Sequence, residues 1–397
     1  MSIASSPRSS TPPDRPEGFS TVASAAARSV IRHFGGPLLG LPGTHFAAVS
    51  RPGSVNNPAK PFHYWWQAHY VDALVDVGWR ELSTGERVNG PERPSAGELA
   101  SRTVKTLVGR NFFRITNSYY DDMAWAALAI GRLDALARAA GKPGPGERLK
   151  LRHALTDQLL SAATEDIGGG LFWHTKRTFK NTAATAPAAL HFARLAGEGE
   201  PDLGPRAQSL VDWLESHVVD ERGLYRDGIQ INEGATIVEE AVYTYNQGPV
   251  LGALLELGGE ANLARAARTV EAVKAHLTQR RSHVLTTHGT GDGGLFTGVL
   301  ARYLALAATD ERLPEATRNR AALMVTTTAD RLWEGRGERW AKTGIITKPE
   351  RVLVFPRTPG AMAAEEYPGQ SVVELSTQLQ AWMIFEAAAA IEEHHSA

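Results

Sequence analysis

Apolar residues recur at helical spacing along most of the chain, and clusters of glycine and proline cut that repeat into helix-sized pieces. The breakers fall at Gly141 to Pro145, Gly168 to Gly170, Gly197 to Pro205, Gly258-Gly259 and Gly289 to Gly294. Between them the pattern predicts twelve helices, near 20–34, 62–79, 95–112, 119–140, 146–163, 181–197, 206–219, 245–258, 260–279, 294–308, 315–333 and 371–393. Strand-like stretches are few; Gly223 to Val242 and Thr343 to Phe355 are candidate hairpins.

The predicted helices are of two kinds, and the kinds alternate. Those starting near 95, 146, 206, 260 and 315 are rich in Arg, Glu and Ala, which suits one face on a core and one in water. Those starting near 62, 119, 181, 245, 294 and 371 carry more aromatic or small residues, which suits burial on more than one side. Counting 20–34 as exposed, six exposed and six buried helices alternate, an order that closes as an inner ring inside an outer ring. An open solenoid of helix pairs is the other solution, and the lack of a strict sequence period weighs against it.

A length of 397 residues would by itself suggest two or three domains. No linker divides the row of helices, so a single domain over 18–397 is expected, after a Ser/Pro-rich disordered tail over 1–17. The absence of cysteine excludes disulfides, thiolate zinc sites and a cysteine nucleophile. A net charge of -1 gives no electrostatic footprint for nucleic acid. Thr21 to Phe34 is broken by Arg28 and Arg32, unlike a signal peptide, and no run is long and apolar enough to span a bilayer. A cytoplasmic monomer without nucleic-acid or membrane partners is the expectation.

In a double ring the inner helices run parallel, so their N-termini meet at one end. The unusual residues stand at those starts: Tyr64 to Gln67, Tyr119 to Asp122, Trp173 to Asn181, Tyr243 to Gln247 and Asp292 to Phe296. Loops on a rigid scaffold commonly carry function, and aromatic residues at one rim suit the flat faces of sugar rings.

Asp121 and Asp122 have two readings. Acids at a helix start complement the helix dipole, and Ser118 with Asp121 resembles a cap. Alternatively, like charges held close raise one pKa, so one acid stays protonated while the other ionises. Glycoside hydrolysis needs that division, and retaining enzymes need carboxyl groups roughly 5 Å apart. Tyr119, Tyr120 and Trp125 surround the pair, which favours the second reading. Trp65, Trp66 and Gln67 are either core or a stacking platform with an amide for hydroxyls. Asn181 and Asn246 are either helix caps or sugar ligands. Tyr245 and Gln247 offer polar contacts at a buried rim, Trp173 is a second platform, and His174 reads as loop structure. Pro249 suits a first helical turn.

Gly289 to Gly294 matches G-x-G-x-x-G, but no strand–helix alternation surrounds it, so a dinucleotide site is set aside. The glycines more simply turn the chain into a helix and leave Asp292 and Phe296 at the rim. No P-loop, H-E-x-x-H, G-x-S-x-G or EF-hand pattern occurs, the histidines are scattered, and no metal or cofactor is assigned.

The stretches YWWQAHYVDALVD, NSYYDDMAWAALAIGRL, GGGLFWHTKRTFKNTAATAPAALHFARL, YTYNQGPVLGALLELG and GDGGLFTGVLARYLALA resemble, in this order, glycoside hydrolase family 76, the endo-α-1,6-mannanases. The resemblance implies an all-α (α/α)6 barrel of six inner and six outer helices. It implies retaining hydrolysis of α-1,6-mannosidic bonds in mannan or mannooligosaccharides without a metal. By position, Asp121 matches the nucleophile and Asp122 the general acid/base. Trp66, Gln67, Tyr120, Trp173, Asn181, Tyr245, Asn246, Gln247, Asp292 and Phe296 are the expected substrate-binding residues. The loop His174 to Arg177 is more basic than the family pattern, which fits either an anionic group on the substrate or a solvated loop. Two other functions compete: a sugar epimerase, which would need paired histidines at the helix starts, and a non-catalytic mannan-binding protein, in which one acid would be lost.

Overall fold

Inner and outer helices are distinguished in the structure by what they bury. The computed structural model describes residues 18–52, 62–142, 146–232, 235–341 and 349–396. The expected tail over 1–17 and the first part of the Thr343 to Phe355 segment lie outside those residues. The helices are α1 (Phe19–Phe34), α2 (Tyr64–Thr84), α3 (Ala96–Arg110), α4 (Tyr120–Ala139), α5 (Gly146–Ala162), α6 (Thr182–Gly197) and α7 (Leu203–His217). They continue with α8 (Thr244–Leu257), α9 (Gly259–His276), α10 (Gly293–Thr309), α11 (Glu315–Glu334), the single turn α12 (Ala363–Glu366) and α13 (Leu375–Ser396). Apart from α12, these are the twelve helices predicted.

Helices α2, α4, α6, α8, α10 and α13 each pack on the next, and α13 packs back on α2. That closed succession is the inner ring, and it removes the open solenoid. Around it, α3 lies on α2 and α4, α7 on α6 and α8, α11 on α10 and α13, and α1 on α13. The fold is therefore an (α/α)6 barrel. The inner helices are buried nearly all round, as the small residues of α6 (TAATAPAALHFARLAG) require. Close approach needs those small residues. A Cβ on Gly298 of α10 would stand 2.8 Å from the Gln380 Cα of α13.

Ion pairs tie the barrel across its end remote from the inner helix starts. Arg302 of α10 reaches Asp76 of α2 at 2.7 Å and Asp72 at 3.1 Å, and Arg132 of α4 binds the same two carboxylates. Arg80 of α2 pairs with Glu386 of α13 at 2.8 Å. These charges are largely buried, so each relies on its partner to offset desolvation.

At the opposite end, where the inner helices begin, the loops form small sheets. The strands Phe179–Asn181, Arg226–Asn232 and Ala235–Val242 make one antiparallel sheet in that order. The first predicted hairpin is thus present, with a third strand added. Gly228 pairs with Asn181, and a Cβ there would meet the Lys180 carbonyl oxygen at 2.3 Å, so only glycine fits. The register shifts between Arg226 and Gly228, a bulge that places Asp227 out of the ladder. The second hairpin pairs Gly337–Ala341 with Glu350–Val354, so its first strand lies before the segment the sequence suggested.

Candidate active site

The starts of the inner helices surround a cavity of about 720 Å³. Helix α2 contributes Trp65, α4 contributes Asp121 and Trp125, and α8 contributes Tyr245. Asp292 and Phe296 come from the start of α10, and Asn181 stands just before α6. The segment before α6 adds Trp173, Thr178 and Phe179; the hairpin adds Asp227, Gln230, Ile231 and Glu239, with Tyr243 just after it. Seven of these side chains are aromatic, four are acidic, and none is Lys, Arg or His.

The acid pair opens α4. The residue preceding the helix is Tyr119, and no side chain caps it, so the capping reading of Ser118 with Asp121 does not describe the structure. Instead Asn117 donates its amide to Asp122 Oδ2 at 2.6 Å, and the Trp65 backbone N–H donates to the same carboxylate. Asn117 is itself oriented by the Tyr119 N–H, which donates to its Oδ1 at 2.8 Å. Asp121 Oδ1 is buried without a partner.

Burial disfavours the charged form of both acids. It pushes Asp121 up to about 7, against the hydrogen bond from Trp173. Burial and then the Asp121 charge push Asp122 well above the usual carboxylate range. The first proton lost is therefore shared within the pair, and Asp122 is the acid that keeps it longest. One neutral acid beside one carboxylate is the chemistry this arrangement offers.

Asp292 is the opposite case. Both indoles of Trp65 and Trp66 donate to its Oδ1, at 3.0 and 2.8 Å, and these bonds with His63 hold its pKa below the usual value despite burial. Its turn is fastened from α13's side, since the Gly291 N–H donates to Glu374 Oε2 at 2.7 Å. Tyr245 and Phe296 stack with centroids 4.0 Å apart, and Trp65 leans on both. Asp227 accepts from the Asn246 amide at 3.1 Å, and burial raises its pKa.

The expected binding residues divide into two groups. Trp173, Asn181, Tyr245, Asp292 and Phe296 line the cavity together with Asp121. Asn181 also caps α6, accepting the Ala184 N–H at 3.0 Å, so cap and cavity wall are the same residue. Trp66 does not line it: its ring is 1% exposed and stacks on His63 at 4.1 Å, and its neighbour Trp65 faces the space instead. Gln67 gives its amide to the backbone of Ala47 and Phe62, and Gln247 to that of Tyr225 and Tyr243. Both amides staple loops to helices. Tyr120 is buried in the core, and Asn246 sits behind Asp227. Pro249 stands beyond the first turn of α8, which begins at Thr244. His174 accepts the Lys176 N–H at 2.9 Å, Arg177 donates to the Ser161 carbonyl of α5, and none of His174 to Arg177 lines the cavity.

Asp227, Glu239 and Gln230 were not singled out from sequence. They stand on a hairpin whose pairing with Phe179–Asn181 joins segments some 50 residues apart. Asn117 was missed as well, although its place four residues before an acid pair was the available signal.

The profile of glycosyl hydrolase family 76 matches residues 22–349. The chain belongs to glycosyl hydrolase family 76. Among solved members of this family, an α-1,6-mannanase of Salegentibacter sp. HEL1_6 is 25% identical, with a TM-score of 0.76 over 94% of this chain and 99% of that one. Among curated relatives, the meiotically up-regulated gene 191 protein of Schizosaccharomyces pombe is 24% identical over 57% of this chain and 53% of its own length. The mannan endo-1,6-alpha-mannosidase DCW1 of Candida glabrata is 32% identical over 33% of this chain and 32% of its own length. The chain thus spans about half or less of the curated relatives it matches.

Proposed function

We propose that the chain is a retaining glycosidase that cleaves α-1,6-mannosidic bonds in mannan or mannooligosaccharides. The observation that carries this reading is the partnerless Asp121 Oδ1 in an aromatic cavity, beside an Asp122 fixed by Asn117. A nucleophile needs an unoccupied oxygen, and an acid/base needs a held position. Support also comes from the Salegentibacter enzyme. An inactive form of it, with two consecutive aspartates changed to asparagine, was captured with α-1,6-mannotriose.

The sugar ring rests against Trp65, Tyr245 and Phe296, whose flat faces match its C–H surface. Asp292, Asp227, Glu239 and Gln230 accept or donate to its hydroxyls. Asp122 gives its proton to the glycosidic oxygen as the C1–O bond breaks, and the Asp121 carboxylate forms an ester bond at C1. Water then enters, loses a proton to Asp122 and attacks C1, releasing Asp121. Two inversions leave the configuration unchanged. The cavity lining holds no histidine, so the paired-histidine chemistry of an epimerase has no support here.

Incubation with linear α-1,6-mannan, followed by proton NMR, tests the reading. The expected result is cleavage with the α-anomer formed first. Asp121→Asn and Asp122→Asn should each lower turnover by on the order of a thousandfold or more. A first-formed β-anomer, or near-normal turnover by both variants, would overturn it.

A further inference from the structure

The turn joining α3 to α4 presents Phe112 and Phe113, adjacent and 87% and 88% exposed. Both have left-handed φ, +54° and +59°, a conformation bulky residues rarely adopt. The turn is not loose. The Arg114 N–H closes it on the Asn111 carbonyl at 3.1 Å, and the Asn111 amide donates to the carbonyls of Arg114 and Thr116, both at 2.9 Å. A clamped turn that holds two phenyl rings in water is a feature with a cost and no internal return.

Three observations indicate what covers it. Between Glu98 and Asp121 the chain carries four basic residues, Arg102, Lys105, Arg110 and Arg114, and no acidic one; Arg110 lies over the Phe46 and Phe62 rings at 5.6 and 5.0 Å, while Lys105 and Arg114 are exposed. A second apolar projection, Leu39 and Leu41, is 59% and 53% exposed. It belongs to the loop after α1, which is tied to α3 where the His45 N–H donates to Thr106 Oγ1 at 3.2 Å. Finally, the turn lies on the cavity face: Ile115 accepts the Tyr64 hydroxyl at 2.6 Å, and Asn117 holds Asp122.

We propose that this face docks on a lipid bilayer bearing anionic headgroups, with Phe112 and Phe113 entering the interfacial region and the exposed cations Lys105 and Arg114 meeting lipid phosphates. Phenyl and leucine side chains have no polar edge to direct sugar hydroxyls, but they gain by leaving water, and basic residues beside them gain by approaching anionic lipid. Among the described residues no helix is long and apolar enough to cross a membrane, so the contact is peripheral. The expectation of no membrane partner rested on the lack of a spanning run, which says nothing about such a surface.

The test is co-sedimentation of the full chain with vesicles of phosphatidylcholine and phosphatidylglycerol. Vesicles of phosphatidylcholine alone, lipid-free samples and a mannan-affinity gel serve as controls. The chain should sediment with the anionic vesicles, less so as salt is raised. The paired change Phe112→Ser with Phe113→Ser should lower partitioning by on the order of tenfold or more. Arg114→Gln should lower it in low salt only. The melting temperature and turnover of soluble mannotriose should not change, which separates this proposal from the catalytic one. Failure of the unaltered chain to sediment with anionic vesicles would overturn the proposal. So would equal sedimentation by the double variant, sedimentation without lipid, or loss of mannan retention in the double variant.

Discussion

Asn117 donates to Asp122 at 2.6 Å, and this bond is the only side-chain restraint on the proposed acid among the described residues. It stabilises the charged form and so opposes the rise that burial imposes. Asn117→Ala should therefore move the alkaline limb of the pH–rate profile upward. With the acid less well placed, kcat should fall by about 10–100-fold and KM by little. Full pH profiles of both proteins check this.

The acid pair also predicts how stability depends on pH. Asp121 rises from 3.8 to about 7, so the folded chain binds this proton more tightly than the unfolded chain. The resulting stability is complete below about pH 4 and is lost as pH rises through about 7. Asp121→Asn removes its share of that dependence and leaves the part that burial of Asp122 imposes. Thermal melts across this window should fall more steeply for the unaltered chain than for the variant.

Trp65 and Trp66 should separate cleanly. Trp65 lines the cavity, so Trp65→Ala should raise KM by about tenfold or more with modest loss of stability. Trp66 is buried, so Trp66→Ala should cost about 3–5 kcal/mol in denaturant unfolding.

Lys180 is wholly buried, and its ammonium donates to the carbonyls of Thr164, Asp166 and Gly169, at 2.8, 2.5 and 2.5 Å. It anchors the glycine-rich loop beneath Phe179 and Asn181. Lys180→Met removes three hydrogen bonds from a charged donor, each worth about 1.5–3 kcal/mol. Chemical unfolding should show a loss of about 3 kcal/mol or more.

Helix boundaries and the inner and outer alternation were legible because periodicity and breakers are local properties of the chain. The acid pair was legible for the same reason, since the two acids and the aromatic residues that mark them, Tyr120 and Trp125, are neighbours on one helix. Helix phase was not. Adjacent residues on a helix point about 100° apart, and composition cannot tell which of Trp65 and Trp66 faces inward. Gln67 and Gln247 looked like ligands because their true partners are backbone carbonyls, which leave no mark in a sequence. Asp227 and Glu239 reach the cavity only through strand pairing across distant segments, with the bulge at Asp227 set by the register itself.

The ring of inner helices closes only when α13 packs against α2, with Arg80 and Glu386 joining helices more than 300 positions apart. During synthesis that seam is the last to form, because every other inner helix leaves the ribosome first. Before it forms, Gly291 lacks its carboxylate partner Glu374, and the Asp292 turn has no outer support. Catalytic competence should therefore appear all at once rather than accumulate, and a nascent chain stopped short of α13 should have no partial activity. Long-range closure of this kind is slow, and the unsealed barrel exposes the apolar flanks of α2 and α10 meanwhile.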